Sequence, residues 1–226
     1  PLFSLDKAVT EDELDAFLTR VHKVDPDAVF TVEYKFDGLT MCLTYENGAF
    51  VRAATRGNGR EGEDVTAQAL TLHSFPLAIP YKGTLEVRGE AIIRLSVLEK
   101  YNATHPDEPL KNARNAAAGA IRNLDPKVTA SRHPEIVFYD INYMSESPVS
   151  SQVEAYETLK KWGFETFPYL RVCKTAEEVQ SAIDEIEVER KKLDILTDGA
   201  VVKTNEESVR RKMGYTDKFP RWAIAY

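Results

Sequence analysis

Asn47-Gly48 lies between two β-type runs, LTMCLTYE and AFVRAAT. An Asn-Gly pair readily adopts the two positive-φ positions of a type I′ turn, so this stretch predicts a two-residue antiparallel hairpin. The other strand-like segments also arrive as hairpins or sequential pairs. VFTVEYKFDG begins as a strand just ahead of the hairpin. LEVRGEAII (85–93), IVFYDINYM (136–144) and DGAVVKT (198–204) follow, and RWAIAY begins a last strand. Helical patterns stand between them. Thr10 and Glu13 have capping-box spacing ahead of Leu14, Phe17, Leu18 and Val21, which predicts an amphipathic helix over 11–22. Further helices are expected over 65–72, from a Ser96 cap to 103, over 113–124, over SQVEAYETLKKWG closed by Gly163, over TAEEVQSAIDEIEVERKKL capped by Thr175, and over NEESVRRKMG. The polar, glycine-rich stretch 56–64 reads as a loop. There is no regular β–α–β alternation. The expected class is therefore α+β, with antiparallel β-sheets flanked by helices, and not a doubly wound parallel sheet.

The 226 residues are enough for one large domain with a sizeable core, and a hydrophobic share of 43% beside a charged share of 29% is that of an ordinary globular chain. No run of 18 apolar residues marks a membrane span. The first residues have neither the basic nor the apolar region of a signal peptide, so a cytoplasmic protein with no membrane partner is expected. The chain does not begin with Met, which suggests a piece of something longer. Cys42 and Cys173 are too few for a disulfide framework or a zinc site, and they read as small buried hydrophobes in a reducing compartment. The net charge of −7 is a constraint, because a domain that grips nucleic acid alone is usually basic. A nucleic-acid partner would need a local basic patch or help from other domains.

Lys35 sits in Glu33-Tyr34-Lys35-Phe36-Asp37-Gly38, at the end of one strand and the approach to the next. A lysine becomes a nucleophile when burial or nearby cations disfavour its ammonium form. Here it stands in an apolar β segment, where a solvated lysine is unusual. Asp37, two residues on, shares its face if the strand continues, and could position the amine or bind a ribose hydroxyl. Gly38 would let the chain turn close to a ligand. Three fixed residues are a weak motif, and a surface lysine beside a turn-forming Asp-Gly would look the same.

Further elements follow in order. They are Arg56-Gly57, Glu86-Val87-Arg88-Gly89-Glu90, Phe138-Tyr139-Asp140 and Asp198-Gly199-Ala200-Val201-Val202-Lys203. Together with the lysine motif, this ordered set resembles the covalent nucleotidyltransferases, which comprise DNA ligases, RNA ligases and mRNA capping enzymes. Two longer segments, ATRGNGREGEDVT and ARNAAAGAIRNLDP, closely resemble the bacterial NAD-dependent DNA ligases, and the opening PLFSLDKA resembles the segment just before that family's adenylation core. The resemblance covers the chain from Pro1 to Tyr226. It implies one adenylation domain over 1–226, with the covalent nucleotidyltransferase (ATP-grasp-like DNA ligase) fold.

The resemblance also assigns roles. Lys35 is the nucleophile that takes AMP from NAD as a phosphoramidate. Glu33 recognises the adenine amino group, Tyr139 stacks on the base, and Ser4 and Leu5 touch the nucleotide. Arg56 contacts ribose or phosphate. Lys203 draws on the α-phosphate and, by like-charge repulsion, favours the neutral amine of Lys35. Glu90 and Asp198 are carboxylates suited to Mg²⁺, or Mn²⁺ in its place, although Asp198 could equally be a turn residue before Gly199. Arg114 and Arg122 lie eight residues apart on roughly one helix face and, with Lys111 and Lys127, form the candidate basic patch for nicked double-stranded DNA. A solvated helix face is the plainer account of those arginines, core packing that of Tyr139, and a lysine snorkelling from a strand end that of Lys203.

Compared with the family, the chain lacks the N-terminal domain that grips the nicotinamide mononucleotide half of NAD. It also lacks the lysine expected after Tyr226, and the OB, zinc, helix-hairpin-helix and BRCT modules; zinc is expected only in that missing part. A monomeric fragment that binds the AMP half of NAD, adenylates itself poorly and does not seal nicks is the resulting expectation. The rivals are an ATP-dependent ligase or capping-type enzyme, and a catalytically inactive nucleotide- or nucleic-acid-binding module.

Overall fold

The computed structural model describes residues 4–57 and 62–226. The first three residues of the PLFSLDKA segment and residues 58–61 of the expected glycine-rich loop lie outside the described residues. Nine strands and eight α-helices are found among the described residues. The strands form two sheets. The first is ordered β1-β9-β8-β2-β7, where β1 is Asp6–Lys7, β2 Phe30–Phe36, β7 Arg171–Cys173, β8 Thr197–Thr204 and β9 Ala223–Ala225. The second is ordered β4-β3-β5-β6, where β3 is Leu39–Glu46, β4 Ala49–Thr55, β5 Thr84–Ile92 and β6 Glu135–Met144. All pairings are antiparallel except β1 with β9, which is parallel. The expected α+β class with antiparallel sheets holds, with that one short parallel pair as a departure.

The hairpin forms as its turn residues dictate. Asn47 and Gly48 have φ of 51° and 82°, and β3 and β4 pair on either side. The first helix, α1 (Glu11–Val24), is capped by the Thr10 side chain, which accepts from the Glu13 amide. Its buried residues Leu14, Phe17, Leu18 and Val21 repeat at helical spacing and pack on Phe30 and Val32 of the first sheet. Burying Phe17 alone contributes on the order of 2–3 kcal/mol. The helix α7 (Ala176–Glu189) is capped by Thr175 and covers the same core with Val179, Ala182, Ile183 and Ile186. The second sheet has its own core, in which Met41, Leu43, Tyr45 and Phe138 meet Ile121, Leu159 and Phe164.

Some boundaries differ from expectation. The helix expected over 65–72 is only α2, Thr66–Ala69. Ser96 is not a cap. The helix α3 (Leu95–Thr104) starts from Arg94, and Ser96 lies in its first turn, where its amide and hydroxyl both donate to the distant Asp194 carboxylate. The helix α4 is Ala113–Arg122, and α5 (Pro126–Arg132), capped by Asp125 with Pro126 opening it, is an addition. The helices α6 (Gln152–Lys161) and α8 (Glu207–Met213) complete the set. Cys173 is buried as expected, but Cys42 is only half-buried. Among the described residues, no helix is long and apolar enough to cross a membrane.

Candidate functional site

Between β2 and β3 the chain passes from one sheet to the other through Asp37 and Gly38. Gly38 is required by close approach, since a Cβ there would lie 2.0 Å from the Ala91 carbonyl oxygen in β5. The Lys-x-Asp-Gly motif is thus the crossing between the sheets, and a cleft of about 740 Å³ opens beside it. Ser4, Leu5, Glu33, Lys35, Asp37, Arg56, Glu90, Arg114, Arg122, Tyr139, Asp198 and Lys203, all singled out from sequence, line this one cleft. Lys111 and Lys127 are not part of its wall.

Lys35 owes its setting to a β-bulge. Tyr34 pairs with Ala200 and Phe36 with Thr197, so Asp198 and Gly199 of β8 both stand opposite Lys35. Gly199 has φ of 137°, a region that favours glycine. The bulge brings the Asp198 carboxylate to the Lys35 ammonium, Oδ2 to Nζ 2.9 Å. Lys35 was expected to be desolvated in an apolar strand; instead its side chain keeps 29% of its exposure and is ion-paired. Asp37 does not hold the amine. Its carboxylate lies 3.5 Å from Arg114. Burial pushes that carboxyl up, the nearby Asp198 pushes it further, and Arg114 and Lys35 oppose the rise.

Lys203 lies deeper, with its side chain 6% exposed. Its Nζ is 3.4 Å from Glu33 and 3.8 Å from Asp140, and 5.0 Å from the centre of the Tyr139 ring. Glu33 also accepts from the Thr31 hydroxyl at 3.1 Å. Burial raises the Glu33 carboxyl, Lys203 opposes this most strongly, and Asp140 adds to the rise. Lys35 and Lys203 each face their own carboxylates. Glu90, 8% exposed, accepts from the Gly38 amide at 3.3 Å and the Thr40 hydroxyl at 3.0 Å. Burial raises its carboxyl to about 7 against those hydrogen bonds.

Arg114 and Arg122 stand on the exposed face of α4, whose other face buries Ala113, Ala116, Ala117, Ala120 and Ile121. Gln152, Arg210 and Trp222 were given no site role from sequence, and Asp140 entered only as part of the Phe138-Tyr139-Asp140 element, without a role of its own. Asp140, Arg210 and Trp222 also line the cleft, and only the position of Asp140 beside Tyr139 signalled it. Among the described residues no group of three or more His, Cys, Asp or Glu could hold a metal ion. The cleft instead offers separate carboxylates, among them Asp37, Glu90 and Asp198, which suits a Mg²⁺ that takes one or two carboxylates and completes its shell with phosphate oxygens and water.

Residues 1–226 match the family model of the NAD-dependent DNA ligase adenylation domain. The whole chain aligns at 47% identity with a DNA ligase of Alkaliphilus metalliredigens, covering 34% of it, and at 46% with a DNA ligase of Finegoldia magna, covering 36% of it. The chain therefore spans about a third of the length of the curated relatives it matches. Among solved structures it resembles a putative ATP-dependent DNA ligase from Aquifex aeolicus (TM-score 0.52, 15% identity, 99% of this chain and 48% of that one). It also resembles an archaeal ATP-dependent RNA ligase (TM-score 0.52, 14% identity, 99% of this chain and 47% of that one). At such identities the likeness is one of fold, and that fold is the covalent nucleotidyltransferase one.

Proposed function

Because the chain belongs to the NAD-dependent DNA ligase adenylation-domain family, we propose that Lys35 takes AMP from NAD and that the AMP then passes to DNA. The observation that carries this is the convergence of the motif residues, far apart in sequence, on the one cleft that holds Lys35. Lys35 Nζ attacks the AMP phosphorus of NAD; a nitrogen–phosphorus bond forms, the pyrophosphate bond breaks, and nicotinamide mononucleotide leaves. The amine must first shed a proton to solvent and leave its ion pair with the Asp198 carboxylate at 2.9 Å, which holds the ammonium form. Glu33 receives the adenine amino group, Tyr139 stacks on the base, and Arg56 with Ser4 and Leu5 holds the rest of the nucleotide. Lys203 faces the phosphate and offsets the charge that develops there.

Glu90 and Asp198 are the carboxylates that would hold Mg²⁺, or Mn²⁺, against phosphate oxygens; bound there, the ion would draw negative charge from the α-phosphate and leave its phosphorus more open to attack. In the longer protein, AMP moves to the 5′-phosphate of a nick in double-stranded DNA, and the 3′-hydroxyl then displaces it to form the phosphodiester. Arg114 and Arg122, exposed at the rim, would face the DNA backbone, with other domains supplying the grip that a chain of net charge −7 lacks.

Intact-mass measurement tests this, made on a longer chain that adds the N-terminal nicotinamide-mononucleotide domain and the lysine after Tyr226, after incubation with Mg²⁺ and either NAD or ATP. The expected result is a gain of one AMP from NAD that disappears in Lys35→Ala. A gain from ATP and none from NAD would overturn the assignment of the donor.

A further inference from the structure

Tyr139 sits in a break of the β-ladder. Gly89 of β5 pairs with Phe138 and Arg88 with Asp140, which leaves Tyr139 as the extra residue of a bulge in β6. The strand is at the edge of its sheet, so no further strand restrains it. A bulge re-aims a side chain, and its unpaired backbone groups need partners from elsewhere. Here the partner is Gln152, the first residue of α6 and only 1% exposed, whose Nε2 donates to the Tyr139 carbonyl at 2.7 Å.

Gln152 is held in turn. Its Oε1 accepts from Arg210 Nη2 at 3.0 Å. The amide can be oriented in only one way, because reversal would set donor against donor at Arg210 and acceptor against acceptor at Tyr139. Arg210 is 7% exposed, donates from Nε to the Thr204 carbonyl at 2.6 Å, and lies 4.2 Å from the centre of the Trp222 ring. Backbone contacts fix the same corner: the Gln152 amide donates to the Asn205 carbonyl at 2.9 Å and the Glu207 amide to that of Ser150 at 2.9 Å. The chain Trp222–Arg210–Gln152–Tyr139 therefore runs from the first sheet to the edge strand of the second.

We infer that Gln152 and Arg210 are positioning residues that aim the Tyr139 ring at the nucleotide base. This rests on the proposal that Tyr139 stacks on adenine. Gln152 fixes the bulged peptide and Arg210 fixes Gln152, so the ring presents one face to the cleft before any ligand arrives. Preorganising it spares the binding step the cost of ordering an edge residue.

The test uses this 226-residue chain with AMP, read by calorimetry and by the upfield ring-current shift of the adenine protons at saturation. Gln152→Glu keeps size and retains an oxygen for Arg210 but removes the donor to Tyr139. The expected result is an AMP dissociation constant about tenfold higher, with a ring-current shift at saturation that falls toward that of Tyr139→Ala. An unchanged shift at saturation would overturn the inference, whatever happens to affinity, since a merely structural residue would leave the stacking geometry of bound AMP intact. Should Gln152→Glu not fold, Gln152→Met preserves the volume and must show the same loss of shift. Tyr139→Ala separates the two ways to fail. If it leaves the adenine shift at the wild-type value, the nucleotide proposal is wrong; if it abolishes the shift and the Gln152 variants do not, only the positioning role is wrong.

Discussion

Replacing Lys203 with methionine should cost stability in a pH-dependent way. The ammonium stands 3.4 Å from Glu33 and 3.8 Å from Asp140, and all three side chains are less than a tenth exposed. At an effective dielectric near 20, those separations correspond to gross attractions of about 5 and 4 kcal/mol. Desolvation offsets much of this in the intact protein, and the variant can relax by protonating a carboxyl, so the net loss at high pH should be about 3–5 kcal/mol. The sign follows from Glu33, whose carboxyl burial already raises and which Lys203 holds down. In the variant it rises further. A carboxyl raised in the folded state destabilises nothing below its unfolded value near 4.5, and its full penalty appears only above its folded value. Urea unfolding midpoints of wild type and Lys203→Met should therefore converge toward pH 5 and separate toward pH 8, and Glu33→Gln in the same chain should recover part of the loss. A difference of equal size at pH 5 and pH 8 would refute the charge argument and reduce Lys203 to a packing residue.

Two further perturbations probe the crossing and its neighbour. Gly38→Ala sets a Cβ 2.0 Å from the Ala91 carbonyl, so the crossing and β5 must part by roughly 1 Å; a loss of about 3 kcal/mol in urea unfolding is expected, together with loss of the proposed AMP transfer to Lys35, and a variant of wild-type stability would show that the crossing yields easily. Glu90→Gln removes a buried carboxyl raised to about 7 while leaving its oxygen for the Gly38 amide and an NH₂ from which the Thr40 hydroxyl can accept after rotating. Because that raised carboxyl opposes folding progressively as pH rises from about 4.5 to about 7, the variant should approach wild type near pH 4 and exceed it by up to ~3 kcal/mol near pH 8, and a stability difference independent of pH would count against it.

Most of the secondary structure was legible because it is encoded locally. The Asn47-Gly48 turn and the caps at Thr10 and Thr175 form as their chemistry requires. Expectation and structure part where a distant residue supplies the partner. Ser96 has a cap's composition, but the carboxylate that satisfies the helix start belongs to Asp194. The strands β1 and β7 are too short to show alternation and exist only through their pairing partners. Asp125-Pro126 is itself a local start signal for α5, a capping aspartate followed by a proline at the first helical position. The site shows the same division. Its members were readable as motifs, yet Lys35 is not desolvated as expected, because the β8 bulge that presents Asp198 to it breaks the two-residue period on which a face argument depends. The bulge at Tyr139 and the buried Gln152–Arg210 contact escape periodicity for the same reason.

The pairing order has a consequence for how the molecule comes together. In the second sheet, β3, β4, β5 and β6 all lie within residues 39–144, so their pairings span shorter stretches of chain than those of β2. The strand β2, which carries Lys35, pairs only with β7 and β8, so Phe30 meets Cys173 and Thr204. Closing such long loops is entropically slow, while local pairings form early. Lys35 is thus made near the beginning of the chain but meets Asp198, Lys203 and the far wall of its cleft only when the last strands arrive. The cleft around Lys35 is in this sense a report that the whole domain has finished folding.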